Sequence, residues 1–211
     1  MNFPVLYSYR RCPYAMRARM ALKSANMTVE VREISLRAKP APMLEKSPKG
    51  TVPVLVLANG QVIEQSLEIM HWAISQSADL AWYPSSLRAQ IDSLIATNDG
   101  EFKASLDRYK YPERYPDLPQ TTHREMGEIF LTALETCLSS NLFLLAETPT
   151  LADFAIFPFI RQFAKVDPVW FEAANYPQLR AWLSAMQNQP VFDAVMQKYP
   201  TWTESQSPTM L

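Results

Sequence analysis

Cysteine is the residue type in this chain best suited to chemistry, and one of its two cysteines has unusual neighbours. Cys12 lies in the stretch Ser8-Tyr9-Arg10-Arg11-Cys12-Pro13-Tyr14-Ala15-Met16-Arg17. Before it, Phe3 to Tyr7 is a short apolar run that reads as a strand. After it, Ala15, Ala18, Leu22 and Ala25 fall at helical spacing. Cys12 therefore sits where a strand passes into a helix, with Pro13 at the first helical position. A thiol there faces unpaired backbone amides and the positive end of a helix dipole. Both favour the thiolate, the nucleophilic form, and Arg10, Arg11 and Arg17 add to this. The competing reading is a small core residue in a turn; the Pro13 placement and the arginines favour the reactive one. Cys137 falls on an apolar helical stripe and reads as core.

The elements that would position Cys12 follow in order. Phe3–Tyr7 reads as strand and Pro13–Ala25 as helix. Val29–Glu33 alternates and is rich in β-branched residues, so it reads as a second strand. Ser35 to Ser47 is looser. Val52–Leu57 is a continuous apolar run, the pattern of a buried strand. Asn59-Gly60 signals a hairpin returning through Gln61–Ile63. Ser66 reads as an N-cap, with Leu67 to Ser75 helical and Ile69, Trp72 and Ala73 on one face. The fold class expected is α/β plus all-α: a thioredoxin-like domain of order βαβαββα over residues 1–77, then a helical bundle. Residues 78–86, with Pro84 and two serines, read as a linker. Residues 87–211 then read as all helical, with stripes at Ile91, Leu94, Ile95, Asn98 and Phe102, and at Met126, Ile129, Phe130, Ala133, Leu134, Cys137 and Leu138. Thr150-Leu151-Ala152-Asp153 has the form of a capping box with Asp in place of Glu. The tail from Pro200 is polar and reads as a loose strap.

Composition narrows the function classes. The 211 residues are 48% hydrophobic and 19% charged, ordinary for a globular chain of one large domain or two small ones. A net charge of −1 gives no footprint for nucleic acid or an anionic membrane. No apolar run reaches bilayer length, and Met1 leads into the first strand with no visible export leader. Two cysteines make no disulfide framework, so a reducing cytoplasm is the simplest compartment. With 4 glycines and no glycine-rich phosphate loop, nucleotide binding by that route is not expected. No metal site is expected either.

Two further stretches stand out. In Thr51-Val52-Pro53-Val54 a proline heads a buried strand, where it removes a ladder donor. Thioredoxin-like proteins place a cis proline at this point, facing the active-site turn; an edge-strand proline is the alternative. In Gln65-Ser66-Leu67-Glu68-Ile69 a hydroxyl stands at a helix start, a ready anion site or a plain cap. With Cys12-Pro13-Tyr14-Ala15 after the first strand, these residues resemble the glutaredoxin turn and the cysteine-type, omega-like glutathione transferases. Ala15 stands where a dithiol motif would carry its second cysteine, so the resemblance implies a one-thiol mechanism. It also implies that Val52 and Pro53 hold the cysteinyl part of glutathione and that Gln65 and Ser66 hold its γ-glutamyl end. Lys39, before Pro40, would reach the glycine carboxylate, with Lys46 as a substitute and a solvated lysine as the plain reading. Candidate substrate-pocket residues are Tyr14, Phe102, Tyr109, Tyr111 and Tyr115, the last three in an aromatic, proline-broken loop.

The function this implies is a glutathione-dependent thiol transferase. Glutathione is its co-substrate, a small oxidised or glutathionylated molecule its partner, and neither metal nor nucleotide is needed. The family resemblance also implies a homodimer. Two other readings stand beside it. One is conjugation or isomerisation with glutathione activated by Ser8, Tyr7 or Tyr9. The other is a non-catalytic interaction protein on the same fold.

Overall fold

A computed structural model describes residues 3–77 and 81–211. The chain separates into two compact units: Met1–Ala81 with Gln189–Leu211, and Trp82–Asn188. Part of the expected linker, residues 78–80, and the first two residues lie outside the described residues.

The first unit is built on four strands: β1 (Val5–Ser8), β2 (Glu30–Glu33), β3 (Val54–Val56) and β4 (Val62–Ile63), ordered β2-β1-β3-β4. β1 runs parallel to β2 and antiparallel to β3, and β3 pairs antiparallel with β4. In that register Leu6 stands between Val31 and Leu55. Because side chains alternate along a strand, β1 has two jobs. Tyr7 and Val5 join a cluster with Ile34, Val52, Val54 and Met43 of α2 (Ala41–Lys46). Leu6 and Ser8 point the other way, and the Ser8 hydroxyl meets Arg19 of α1 (Pro13–Ser24). α1 packs on α3 (Ser66–Ser75), and Ala15, Ala18 and Ala21 of the one and Ile69, Met70 and Ala73 of the other are buried. The helix ends as a Schellman motif: Asn26 takes φ +53°, its N–H meets the Lys23 carbonyl and the Met27 N–H meets that of Leu22. The hairpin between β3 and β4 turns at Gly60, φ +86°. The thioredoxin-like arrangement is thus present, with a short helix inside the stretch that reads as loose in sequence.

The C-terminal segment departs from expectation. Residues 189–211 read as the end of the helical domain, yet they belong to the first unit. α10 (Pro190–Val195) packs on α1, and the tail then runs along the open edge of β2. Trp202 N–H donates to the Glu33 carbonyl (2.7 Å), Val31 N–H to that of Thr209 (2.8 Å), and Leu211 N–H to that of Val29 (3.0 Å). Arg32 stacks its guanidinium 4.3 Å from the Trp202 ring and donates to the Tyr7 hydroxyl at 2.8 Å. A tail that reads as a loose strap is therefore an edge cover, satisfying backbone groups that β2 would otherwise expose. It lacks strand periodicity because it pairs only intermittently.

The second unit is helical. α4 (Arg88–Thr97) passes through a π-helical turn at Asn98–Phe102 into α5 (Lys103–Lys110). α6 (Gln120–Leu138), α7 (Leu151–Ala164), α8 (Pro168–Ala173) and α9 (Pro177–Gln187) follow. Most of α7 is buried, the mark of a central helix. Asp153, fully buried, explains the short acidic residue in the capping box. It accepts from Thr150 N–H (2.7 Å), Thr150 Oγ1 (2.9 Å), Leu144 N–H (2.9 Å) and Trp182 Nε1 (2.9 Å), tying α7 to a loop and to α9. Burial pushes its carboxyl up from the usual range, and these donors oppose that. On α6 the apolar stripe is wider than the buried face. Phe130, Leu134 and Leu138 are buried, whereas Met126 and Ile129 are 42% and 75% exposed and Cys137 is half-buried. The core reading of Cys137 is corrected to a rim position, where burial still raises its thiol above the ordinary range.

Gly127 of α6 is where Phe163 of α7 comes closest: a Cβ there would stand 2.6 Å from the Phe163 ring. Gly to Ala within a helix ordinarily stabilises by up to about 1 kcal/mol. Here Gly127→Ala is expected to lose roughly 1–3 kcal/mol in denaturant titration, because the ring is confined by Phe102 and Tyr109. A gain in stability would show that Phe163 yields freely.

Candidate functional site

Cys12 is the N-cap of α1, in extended backbone conformation, with Pro13 immediately inside the helix. The turn that leads to it is closed by Cys12 N–H donating to the Tyr9 carbonyl at 3.0 Å. The Cys12 carbonyl takes the first helical bond, from Met16 N–H at 2.9 Å. The side chain does not cap the helix; its Sγ–H points to the Val52 carbonyl oxygen, 3.8 Å away. The Val52–Pro53 peptide is cis. The proline that looks misplaced in a buried strand is therefore ahead of β3, and the carbonyl before it faces the thiol. Cys12 is half-buried beside Tyr9 on the Tyr7–Val52 cluster.

The turn is held by groups the sequence reading did not single out. Arg19 is fully buried, and its guanidinium donates to the Ser8 hydroxyl, to the carbonyls of Tyr9 (3.3 Å) and Arg10 (2.7 Å), and to that of Val195 (3.2 Å). Burial lowers its pKa to about 10, opposed by the negative charges of Glu33 and of a Cys12 thiolate. It remains a cation at neutral pH. Glu33 accepts the Arg10 N–H at 2.7 Å; burial raises its carboxyl, against the pull of that N–H and of Arg19. The signal available in sequence was an arginine between Ala18 and Met20-Ala21-Leu22, in a run otherwise fit for a core. Arg11, next to the cysteine, is pinned on Tyr9: Nε and Nη2 donate to the phenol oxygen at 3.2 and 2.9 Å.

Of the expected binding residues, Cys12, Val52 and Pro53 are brought together. Lys39 is exposed and reaches the same loop, its Nζ 3.3 Å from where a Cβ on Gly50 would stand. Gln65 is exposed and is itself the N-cap of α3; Ser66 is buried and is the first helical residue. Ser66 as a cap is thus corrected by one position, and no side chain caps this helix. Ser47 and Glu64, unremarked in the sequence, link α2 to the approach to α3 through a hydroxyl-to-carboxylate hydrogen bond, with Lys49 3.7 Å from the same carboxylate.

The aromatic candidates divide. Tyr14 lies on α1 under the Arg17 guanidinium, 5.5 Å from its ring centre. Phe102 and Tyr109 are both buried in the second unit against Phe163, at ring separations of 5.5 and 4.9 Å. Tyr111 and Tyr115 are half-buried, stacked by Arg114 (4.5 Å) and Arg108 (5.8 Å) respectively. Among the described residues no cluster of histidine, cysteine or carboxylate side chains has the form of a metal site. Nor is any helix there long and apolar enough to cross a membrane.

Residues 6–80 match the family described as "Glutathione S-transferase, N-terminal domain", and residues 129–185 match "Glutathione S-transferase, C-terminal domain". The chain is 27% identical over 190 residues to mouse glutathione S-transferase omega-1, covering 88% of this chain and 77% of that protein. It is similar in fold to a Pseudomonas fluorescens glutathione transferase family member solved with two glutathione bound (TM-score 0.79, 18% identity, 92% of each chain). It is similar also to an epsilon-class glutathione S-transferase from housefly (TM-score 0.75, 27% identity, 91% of each chain).

Gly50 tests how tightly the loop carrying Val52 is built. Its φ of +63° favours glycine, and an added Cβ would press on Leu44 at 3.2 Å and Lys39 at 3.3 Å. Gly50→Ala is expected to cost about 1–2 kcal/mol in chemical denaturation. Unchanged stability would mean that this turn does not depend on its left-handed residue.

Proposed function

The chain belongs to the glutathione S-transferase family, and on that premise we propose a glutathione-dependent thiol transferase of the cysteine type, with Cys12 as its nucleophile. One observation carries the reading: Cys12 Sγ at the start of α1, half-buried, opposite the Val52 carbonyl. Helix-start amides and the Arg19 cation both favour a thiolate there.

Glutathione is the co-substrate. Its γ-glutamyl end lies at Gln65 and Ser66, where the amides of α3 suit a carboxylate. The Val52 backbone takes the cysteinyl peptide group, and Lys39 the glycine carboxylate. The Cys12 thiolate attacks the glutathione sulfur of a glutathionylated substrate. A Cys12–glutathione disulfide forms, and the substrate sulfur leaves as a thiolate that takes up a proton. A second glutathione thiolate then attacks the glutathione sulfur of that disulfide, giving oxidised glutathione and restoring the Cys12 thiolate. Each step is a thiol–disulfide exchange, governed by thiolate fraction and access. A reducing cytoplasm supplies the glutathione this requires. A homodimer completes the proposal; the exposed Met126 and Ile129 on α6 suit a covered face.

The conjugating alternative needs a hydroxyl to activate glutathione, and its candidates are engaged elsewhere. Ser8 is fully buried on Arg19, Tyr7 is buried with its hydroxyl on Arg32, and the Tyr9 hydroxyl accepts from Arg11.

Cys12→Ala is expected to reduce glutathione-dependent reduction of a mixed disulfide by at least about two orders of magnitude, since the covalent step is removed. Cys12→Ser should likewise lose that activity while leaving conjugation to an aromatic electrophile intact or raised. Retained disulfide reduction in Cys12→Ala would refute the role given to this thiol.

A further inference from the structure

We propose that Arg19 is the positioning residue of this site: its buried guanidinium fixes the turn that presents Cys12, sustains the thiolate, and ties both to the C-terminal segment. The inference rests on the reading of Cys12 as nucleophile and adds a residue to it.

Arg19 stands about two turns along α1 from the thiol. Helix side chains lean toward the N-terminus, so a long one at this position reaches back beneath the helix start. There it meets consecutive acceptors of one turn: the Ser8 hydroxyl and the carbonyls of Tyr9 and Arg10. The Tyr9 carbonyl also takes the Cys12 N–H, so the group that locates Cys12 is itself held by Arg19. Glu33 of β2 takes the Arg10 N–H from the other side. The Arg10 peptide is thus gripped at its amide by an anion and at its carbonyl by a cation.

The charges explain how a buried arginine is tolerated here. A buried cation is tolerated only where acceptors and opposite charges surround it. The acceptors are uncharged, and the negative groups acting on Arg19 are Glu33, a Cys12 thiolate and Tyr199 when ionised, with Arg10 opposing. Glu33 and Cys12 therefore share one cation. Around the turn stand also Arg11, paired with Tyr9, and Arg17 over Tyr14. The remaining donor, Nε, meets the Val195 carbonyl at the end of α10. The segment 189–211 thus supplies one acceptor of the Arg19 guanidinium as well as an edge cover for β2.

The test is the pH dependence of Cys12 alkylation by iodoacetamide, followed peptide by peptide so that Cys137 is counted separately. It uses the full chain, wild type and three variants, each checked for cooperative unfolding. Arg19→Gln should move the midpoint for Cys12 upward by about one pH unit, Arg19→Lys should restore part of it, and Glu33→Gln should move it downward by freeing the cation. A role confined to packing would alter stability or the plateau rate and leave these opposed shifts absent. A folded Arg19→Gln with the wild-type midpoint overturns the proposal. Where Arg19→Gln fails to fold, Glu33→Gln decides: a downward shift supports it and an unmoved midpoint overturns it. Alkylation uses no glutathione, so this outcome is separate from that of the Cys12→Ala assay.

Discussion

A sulfur at the head of a helix, turned toward a backbone carbonyl, is the contact on which the first unit depends. To bring Cys12 against Val52, β1 must stop at Ser8 and α1 must start at Pro13. The chain ahead of β3 must also double back so that Val52 faces the turn between them. The sheet order β2-β1-β3-β4 makes this possible, because it puts β1 and β3 side by side with antiparallel sense. The end of one then lies beside the start of the other. The hydrophobic cluster of Tyr7, Ile34, Met43, Val52 and Val54 fixes the approach, and Cys12 packs at its edge. Half-burial suits the proposed chemistry, since it strengthens the local field while part of the thiol stays exposed.

Much of this was legible in the sequence, for definite reasons. The strand-to-helix junction showed as a short apolar run giving way to helical spacing, with Pro13 marking the helix start. The order of elements followed from β-branched runs and the Asn59-Gly60 turn. Pro53 stood out because a proline heading a buried strand needs a special backbone, and the cis peptide supplies it. What escaped notice was polar and internal. Arg19 shows in sequence only as an arginine in an apolar run; its partners come from β1, the turn and the distant residue 195. Ser47 and Glu64 form a pair that only tertiary structure creates.

The misplacements share one cause: periodicity reports that a face is apolar, not what covers it. The stripe on α6 contains Ile129, which is largely exposed, and Cys137, which lies at the rim. Of the aromatics around residue 109, Phe102 and Tyr109 pack their rings on Phe163 in the second unit. The tail beyond Pro200, polar and without alternation, carried no sign of pairing with β2. Its bonds are made by backbone groups, which nearly any residue can supply, proline lacking only the N–H.

The claim at the centre is that Cys12 exchanges disulfides with glutathione. Intact-mass and peptide mass spectrometry after incubation with oxidised glutathione reads it directly. The account predicts one glutathione per chain, on Cys12, removed by excess reduced glutathione. A chain that stays unmodified, or that carries the adduct on Cys137 alone, would contradict it.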